Sequence, residues 1–299
     1  MKIYDCFMFF DEEMMLDLRL NMLSKYVDKF VITEATYMHS GKPKKLLFDI
    51  NKFSKFKDKI IYKVIDKEPH NIEAIYESDK NEKDTRGQKL VNNSNKREHY
   101  QREMAQEYLK EADPEDMILI NDIDEIPNLD EINFKNIKEK LIYFKQKMFF
   151  YKFNLQHETI NWVGSRACKK KNFISPQWLR DTKDKKYPLW RLDIMFSKKK
   201  YNSIRYVENG GWHFSNIKSP EDIEKKFSNF LHHQDFEYSG LKLTDIKKMV
   251  EHKRILYDHS ADQAEFKWTG SKTLKKVDLT EMPDYIKQNY KKYINWLEL

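Results

Sequence analysis

The chain has 299 residues, 40% hydrophobic and 14% aromatic, which suffices for a sizeable core and excludes a disordered polymer. Two cysteines exclude a disulfide framework and suit a reducing interior, and no apolar run approaches the roughly 20 residues of a membrane span. The net charge of +7 lies in short lysine clusters, and the densest, Lys169 to Lys171 and Lys198 to Lys200, lack the stacking aromatics of single-strand binders, so no nucleic-acid partner is expected.

Lys2 to Phe10 reads as a first strand, rich in Phe, Tyr and Ile. Asp11 to Glu13 supply the acidic first turn of a helix whose apolar stripe is Leu16, Leu20, Leu23 and Val27. The same acids, with Asp17, rule out a signal peptide, so a soluble, cytoplasmic chain is expected. Phe30 to Thr33 is a second strand ending in Glu34-Ala35-Thr36, which completes a βαβ unit. His39 to Lys45 is a loop punctuated by Gly41 and Pro43, able to offer Lys42 or Lys44 to a phosphate or to remain a plain basic surface. Ile60 to Ile65 is a third strand. Residues 78–95 are polar and read as a long loop over a site, followed by a helix over 95–112 that carries Arg97 and Arg102.

Chemistry concentrates in Met117 to Pro127. Four apolar residues, Met117 to Ile120, read as a strand buried on both faces, and Asp122 and Asp124 follow at its carboxyl end. In an extended backbone residues two apart project to one side, so the two carboxylates would repel unless a counter-charge lay between them. A divalent cation shared with nucleotide phosphates supplies that charge, and ligands of open α/β sheets bind beyond the carboxyl ends of strands.

Downstream, Met148 to Phe153 is a further strand, and Trp162, Trp178 and Trp190 lie in an aromatic-rich segment suited to sugar rings or to a core. Gly210 to Ser215 places His213 between aromatics, as a core histidine or a third metal ligand. Ser219-Pro220-Glu221-Asp222 announces a helix. Helices over 245–257 and 283–297 close the chain.

Several stretches together resemble glycosyltransferase family 17, whose animal members add a bisecting N-acetylglucosamine to N-glycans. They are Tyr4-Asp5-Cys6-Phe7-Met8-Phe9, Leu18-Arg19-Leu20, Val27 to Glu34, His39 to Lys44, Gln101-Arg102, Asp122 to Pro127, Gly211 to Ser215 and Pro283-Asp284-Tyr285-Ile286 with Asn289. The resemblance implies an α/β, GT-A-like nucleotide-sugar fold with a central, mostly parallel sheet over residues 1–217 and a helical C-terminal extension over 218–299. It implies inverting transfer from a UDP-sugar, N-acetylglucosamine first among donors, to an oligosaccharide or glycan acceptor, with Mn2+ or Mg2+. The animal members carry an N-terminal anchor; with its first strand at Lys2 to Phe10, this sequence is expected to do without one.

Inverting transfer needs a cation on the leaving diphosphate and a base for the acceptor hydroxyl. On this reading Asp124 holds the metal, Asp122 contacts the ribose or the metal, and His213 is a third ligand. Arg102 and Lys42 face the diphosphate, and Glu34 and Thr36 the uridine. Glu125, Asp193, Glu208 and Asp235 remain open as the base, with Asp235 preferred. The competing reading is a non-catalytic basic module that binds carbohydrate or nucleic acid.

Overall fold

The computed structural model describes residues 1–81, 83–188, 190–194, 196–230, 233–258, 267, 268, 270 and 272–299. The expected βαβ start is present: β1 (Ile3–Met8), α1 (Glu13–Leu23) and β2 (Lys29–Ala35), with β3 (Ile60–Ile65) alongside, all parallel. Met117 to Ile120 forms β4, which pairs parallel with β1 and is buried along its whole length. After β5 (Glu125–Pro127), β6 (Leu141–Phe144), β7 (Gln146–Phe150), β8 (Leu155–Trp162), β9 (Arg166–Lys169), β10 (Ile204–Val207), β11 (Gly211–Ser215) and β12 (Lys275–Lys276) follow. They build a seven-stranded, mostly parallel sheet, ordered β10-β6-β9-β4-β1-β2-β3, and a five-stranded sheet, ordered β12-β8-β7-β11-β5.

The chain steps from the first sheet to the second through the acidic run. Asp122 and Asp124 therefore do not continue an extended strand as expected. They sit in a turn closed by the amide of Glu125 donating to the Asp122 carbonyl at 3.0 Å. A buried arginine holds that turn from beneath. Arg19, on α1, makes a two-pronged pair with Asp5 of β1 (2.7 and 2.6 Å) and donates through Nη1 to the Glu125 carbonyl at 2.6 Å. Arg19 and Asp5 are both fully buried, so each depends on the other for its charge.

Another expectation is overturned. The polar stretch 78–95 is mostly helix: α2 runs from Lys83 to Glu103. Its buried stripe is polar, with Asn93, Arg97 and Gln101 at four-residue spacing and Ser94 and Arg102 beside them. The expected helix from 95 is thus the second half of α2, and the polar stretch before it gave no apolar periodicity to reveal the first half. α3 (Pro176–Asp181) is capped by Ser175, whose side chain accepts from the Trp178 amide. α4 (Pro220–Phe227) begins under Ser219, whose hydroxyl accepts from the Asp222 amide at 3.2 Å. α5 (His233–Ser239), α6 (Leu243–Glu251) and α7 (Asp284–Gln288) follow, and a 3-10 turn over Tyr290–Trp296 replaces the rest of the expected last helix. Residues beyond 217 share the core of what precedes them: Ile286, Tyr293 and Leu297 pack in one cluster with Phe153 and Phe214.

Candidate active site

A cavity of about 270 Å³ opens where the parallel strands end. Met8, Phe9 and Phe10 enter from the end of β1, Ala35, Tyr37, Met38 and His39 from β2, and Asp122, Ile123 and Asp124 from β4. Trp162, His213, Lys226 and Phe230 close it from the second sheet and the C-terminal helices. Its wall carries four carboxylates, Glu12, Glu98, Asp122 and Asp124.

Arg180, the residue the sequence reading missed, organises the Asp122 side. It donates through Nη2 to Asp122 Oδ2 at 2.9 Å and through Nη1 to Glu125 Oε2 at 2.7 Å. Glu125 is wholly buried, and its carboxylate also accepts from the Trp162 indole at 2.6 Å and from the Asp122 amide at 2.8 Å. Burial is the strongest influence on Glu125 and opposes its charge, but Arg180, His213 and the Trp162 hydrogen bond together outweigh it and hold the group below its ordinary range. Saturated with donors and kept ionised, Glu125 positions the acidic turn and is a poor proton acceptor.

Asp122 is also within reach of Arg102, whose Nη2 lies 3.3 Å from Oδ1 and 2.6 Å from Glu98 Oε1. Its pKa is raised all the same, because burial outweighs Arg180 and Arg102 and Glu125 adds to the rise. Glu98, partly exposed on the wall, is lowered to about 2 because Arg102 and His39 outweigh its desolvation. Asp124 faces His213 Nε2 at 3.5 Å and Lys226 Nζ at 3.8 Å. Burial disfavours its charge, yet His213 and Lys226 hold it well below the usual carboxylate range. His213 responds in the opposite sense: burial lowers its pKa, Asp124 outweighs that, and the net shift is upward.

β11 brings His213 there because it pairs antiparallel with β5, setting His213 opposite Glu125. That close approach requires Gly211, at φ +116, where a Cβ would lie 2.2 Å from the Ile126 carbonyl oxygen.

The remaining expected residues are distributed unevenly. Glu34 lines nothing: it is fully buried and accepts from Lys44, the Tyr62 hydroxyl (2.8 Å) and the amides of Leu47 (2.7 Å) and Phe48 (3.1 Å). The strand alternates, so Ala35 and Tyr37 face the cavity while Glu34 and Thr36 do not, and Thr36 bonds the Ile65 carbonyl instead. Lys42 is exposed and off the wall, whereas its neighbour Lys44 lines it. Asp235, on α5, is not on the wall; its charge, with burial, pushes the pKa of the wall residue Tyr257 up to about 12. Asp193 pairs with Arg191 and Lys200, and Glu208 with Lys145, both on exposed surface. Of the three tryptophans, Trp178 is buried, Trp162 lines the cavity and Trp190 is exposed.

The family model for glycosyltransferase family 17 matches residues 1–297. This chain belongs to glycosyltransferase family 17. No curated protein matches the sequence. A solved structure similar to this family 17 chain is a protein described as a glucose-1-phosphate thymidylyltransferase from Bacillus anthracis in complex with sucrose. It is 13% identical and covers 70% of this chain and 87% of its own, with a TM-score of 0.33, a likeness too loose to bear on function.

As a member of that family the chain is a glycosyltransferase, and the cavity is the candidate place for its chemistry. Among the described residues no three His, Cys, Asp or Glu side chains converge as a ready metal cage. The counter-charge that the acidic pair needs is already present in Arg180, Arg102, Lys226 and His213. Asp124, whose contacts with His213 and Lys226 are as long as 3.5 and 3.8 Å, is the wall carboxylate that could turn an oxygen to a cation.

Proposed function

We propose that this family 17 enzyme is an inverting transferase that moves a sugar, N-acetylglucosamine first among candidates, from a UDP-sugar to a carbohydrate acceptor. The observation that carries the reading is one cavity at the carboxyl ends of β1, β2 and β4, with apolar and aromatic side chains from β1 and β2 beside the Asp122–Asp124 turn. The fold is then read as GT-A-like, with uridine against the Phe9, Phe10 and Tyr37 side and the diphosphate toward Asp124. Mn2+ or Mg2+ would be held by Asp124, with His213 joining once it has lost its proton, and would neutralise charge on the leaving diphosphate.

The acceptor hydroxyl then attacks the anomeric carbon as the bond to the diphosphate breaks, and its proton passes to a wall carboxylate. Asp235 lies off that wall. Asp122 is favoured, because it is the wall carboxylate whose proton affinity is raised while Glu12, Glu98 and Asp124 are lowered.

Release of UDP from a panel of UDP-sugars, with manganese and then with EDTA, tests the donor and the cation together. Asp124→Ala should abolish turnover with little change in melting temperature, since Asp124 is a half-buried turn residue outside the core. Full activity in that variant, or turnover untouched by EDTA, overturns the cation assignment. Salt-dependent oligonucleotide binding without turnover would favour the non-catalytic module.

A further inference from the structure

Trp190, Leu192 and Phe196 are 76%, 70% and 88% exposed, the largest exposures among the big apolar side chains of the described residues between 174 and 238. All three lie between α3 and β10, where the structure describes residues 183–188, 190–194 and 196–200. The two ends of this segment are tied together: the Lys183 amide donates to the Lys199 carbonyl at 2.7 Å, and Lys199 Nζ pairs with Asp181 at 2.6 Å. With its ends tied, the segment is a surface loop between two fixed points, the kind of connection that often carries binding.

The composition of the loop identifies what it suits. Six lysines and Arg191 against Asp184 and Asp193 give residues 183–200 a net charge of +5. Lys183, Lys185, Lys186, Lys198 and Lys199 are exposed beside these apolar side chains. Cores of protein–protein interfaces are depleted of lysine, and self-pairing of this patch would set +5 against +5. Trp, Leu and Phe amid lysines is instead the composition of segments that lie in a bilayer interface, with rings at the acyl boundary and ammonium groups at anionic headgroups.

We propose that the 183–200 loop docks this enzyme peripherally on an anionic membrane surface, with Trp190, Leu192 and Phe196 inserted and the lysines on lipid phosphates. The loop follows directly on Arg180, which holds Asp122, so the docked face adjoins the element that shapes one side of the cavity.

Cosedimentation of the full chain with phosphatidylglycerol-rich vesicles, against phosphatidylcholine alone, reads the docking. Binding is expected on the anionic vesicles, falling about tenfold or more in a Trp190→Ala, Leu192→Ala, Phe196→Ala triple variant. A Lys183→Glu, Lys185→Glu, Lys186→Glu variant should lose the preference for anionic lipid. Circular dichroism and melting curves on each variant establish that it is folded. Absence of binding by the wild type, or equal binding by the folded triple variant, overturns the proposal. So does a wild-type dimer that the triple variant converts to a monomer without any vesicle binding, since the occupant would then be a second copy.

Discussion

Replacing Arg180 by methionine tests the electrostatic argument most directly. The side chain of Glu125 is 0% exposed, and Arg180 is the cation bonded to it, at 2.7 and 3.1 Å. Methionine keeps much of the arginine stem but leaves that carboxylate buried and uncompensated, which costs about 3–5 kcal/mol when one partner of a buried pair is removed. For a chain of this size the loss corresponds to roughly 6–10 °C in melting temperature. The sign of its pH dependence follows from Glu125. Its folded pKa is below the ordinary value, so its stabilisation is present above the unfolded pKa and disappears as pH falls through the folded one. Without Arg180 the carboxyl can take up a proton at acid pH. The gap between wild type and variant should therefore narrow from pH 7 to pH 4, and adding Glu125→Gln to Arg180→Met should recover part of the loss at pH 7. Urea unfolding at both pH values measures this. A loss below about 1 kcal/mol, or an equal loss at both pH values, refutes the claim that Arg180 neutralises a buried carboxylate.

Gly164→Ala should disrupt the same cluster sterically, since a Cβ there would lie 1.8 Å from Glu125 Oε1 and 2.2 Å from Trp162 Nε1. A cost of about 1–3 kcal/mol is expected, with quenching of Trp162 fluorescence altered, and a neutral melting curve would show that the cluster yields easily. His39 is a partly exposed residue of the cavity wall bonded to Gln101, and desolvation lowers its pKa despite nearby Glu98. The unfolded chain then binds more protons below about pH 6.5, so wild type should lose stability relative to His39→Gln as pH falls from 7.5 to 5. Parallel melting curves for the two proteins across that range would count against a desolvated neutral imidazole.

The β1-α1-β2 start, β3, β4 and the Ser219 cap were legible because each announces itself locally, through an apolar run, a helical stripe or a capping side chain. So was the acidic run after β4, since carboxylates stand out after a buried strand, and the fold sets Asp122 and Asp124 on the cavity wall. The second half of α2 was legible, but its first half, before Asn95, was not, because that stretch is polar and carries no apolar stripe. Nor was the partner of the acids. The sequence argument required a counter-charge and supplied a cation, while the fold brings Arg180 from 58 residues away, and His213 and Lys226 from farther still.

By itself the sequence determined which residues carry charge, where strands begin and that two carboxylates lie close together, because those properties reside in neighbouring positions. Only the tertiary structure decided which charges meet. Glu34 turned inward to Lys44 and Tyr62, Glu125 became an ionised brace, and Asp122 kept a raised proton affinity on the open wall. The physical reason is that a carboxylate's chemistry follows from its burial and from the cations within a few ångströms, and those come from distant parts of the chain.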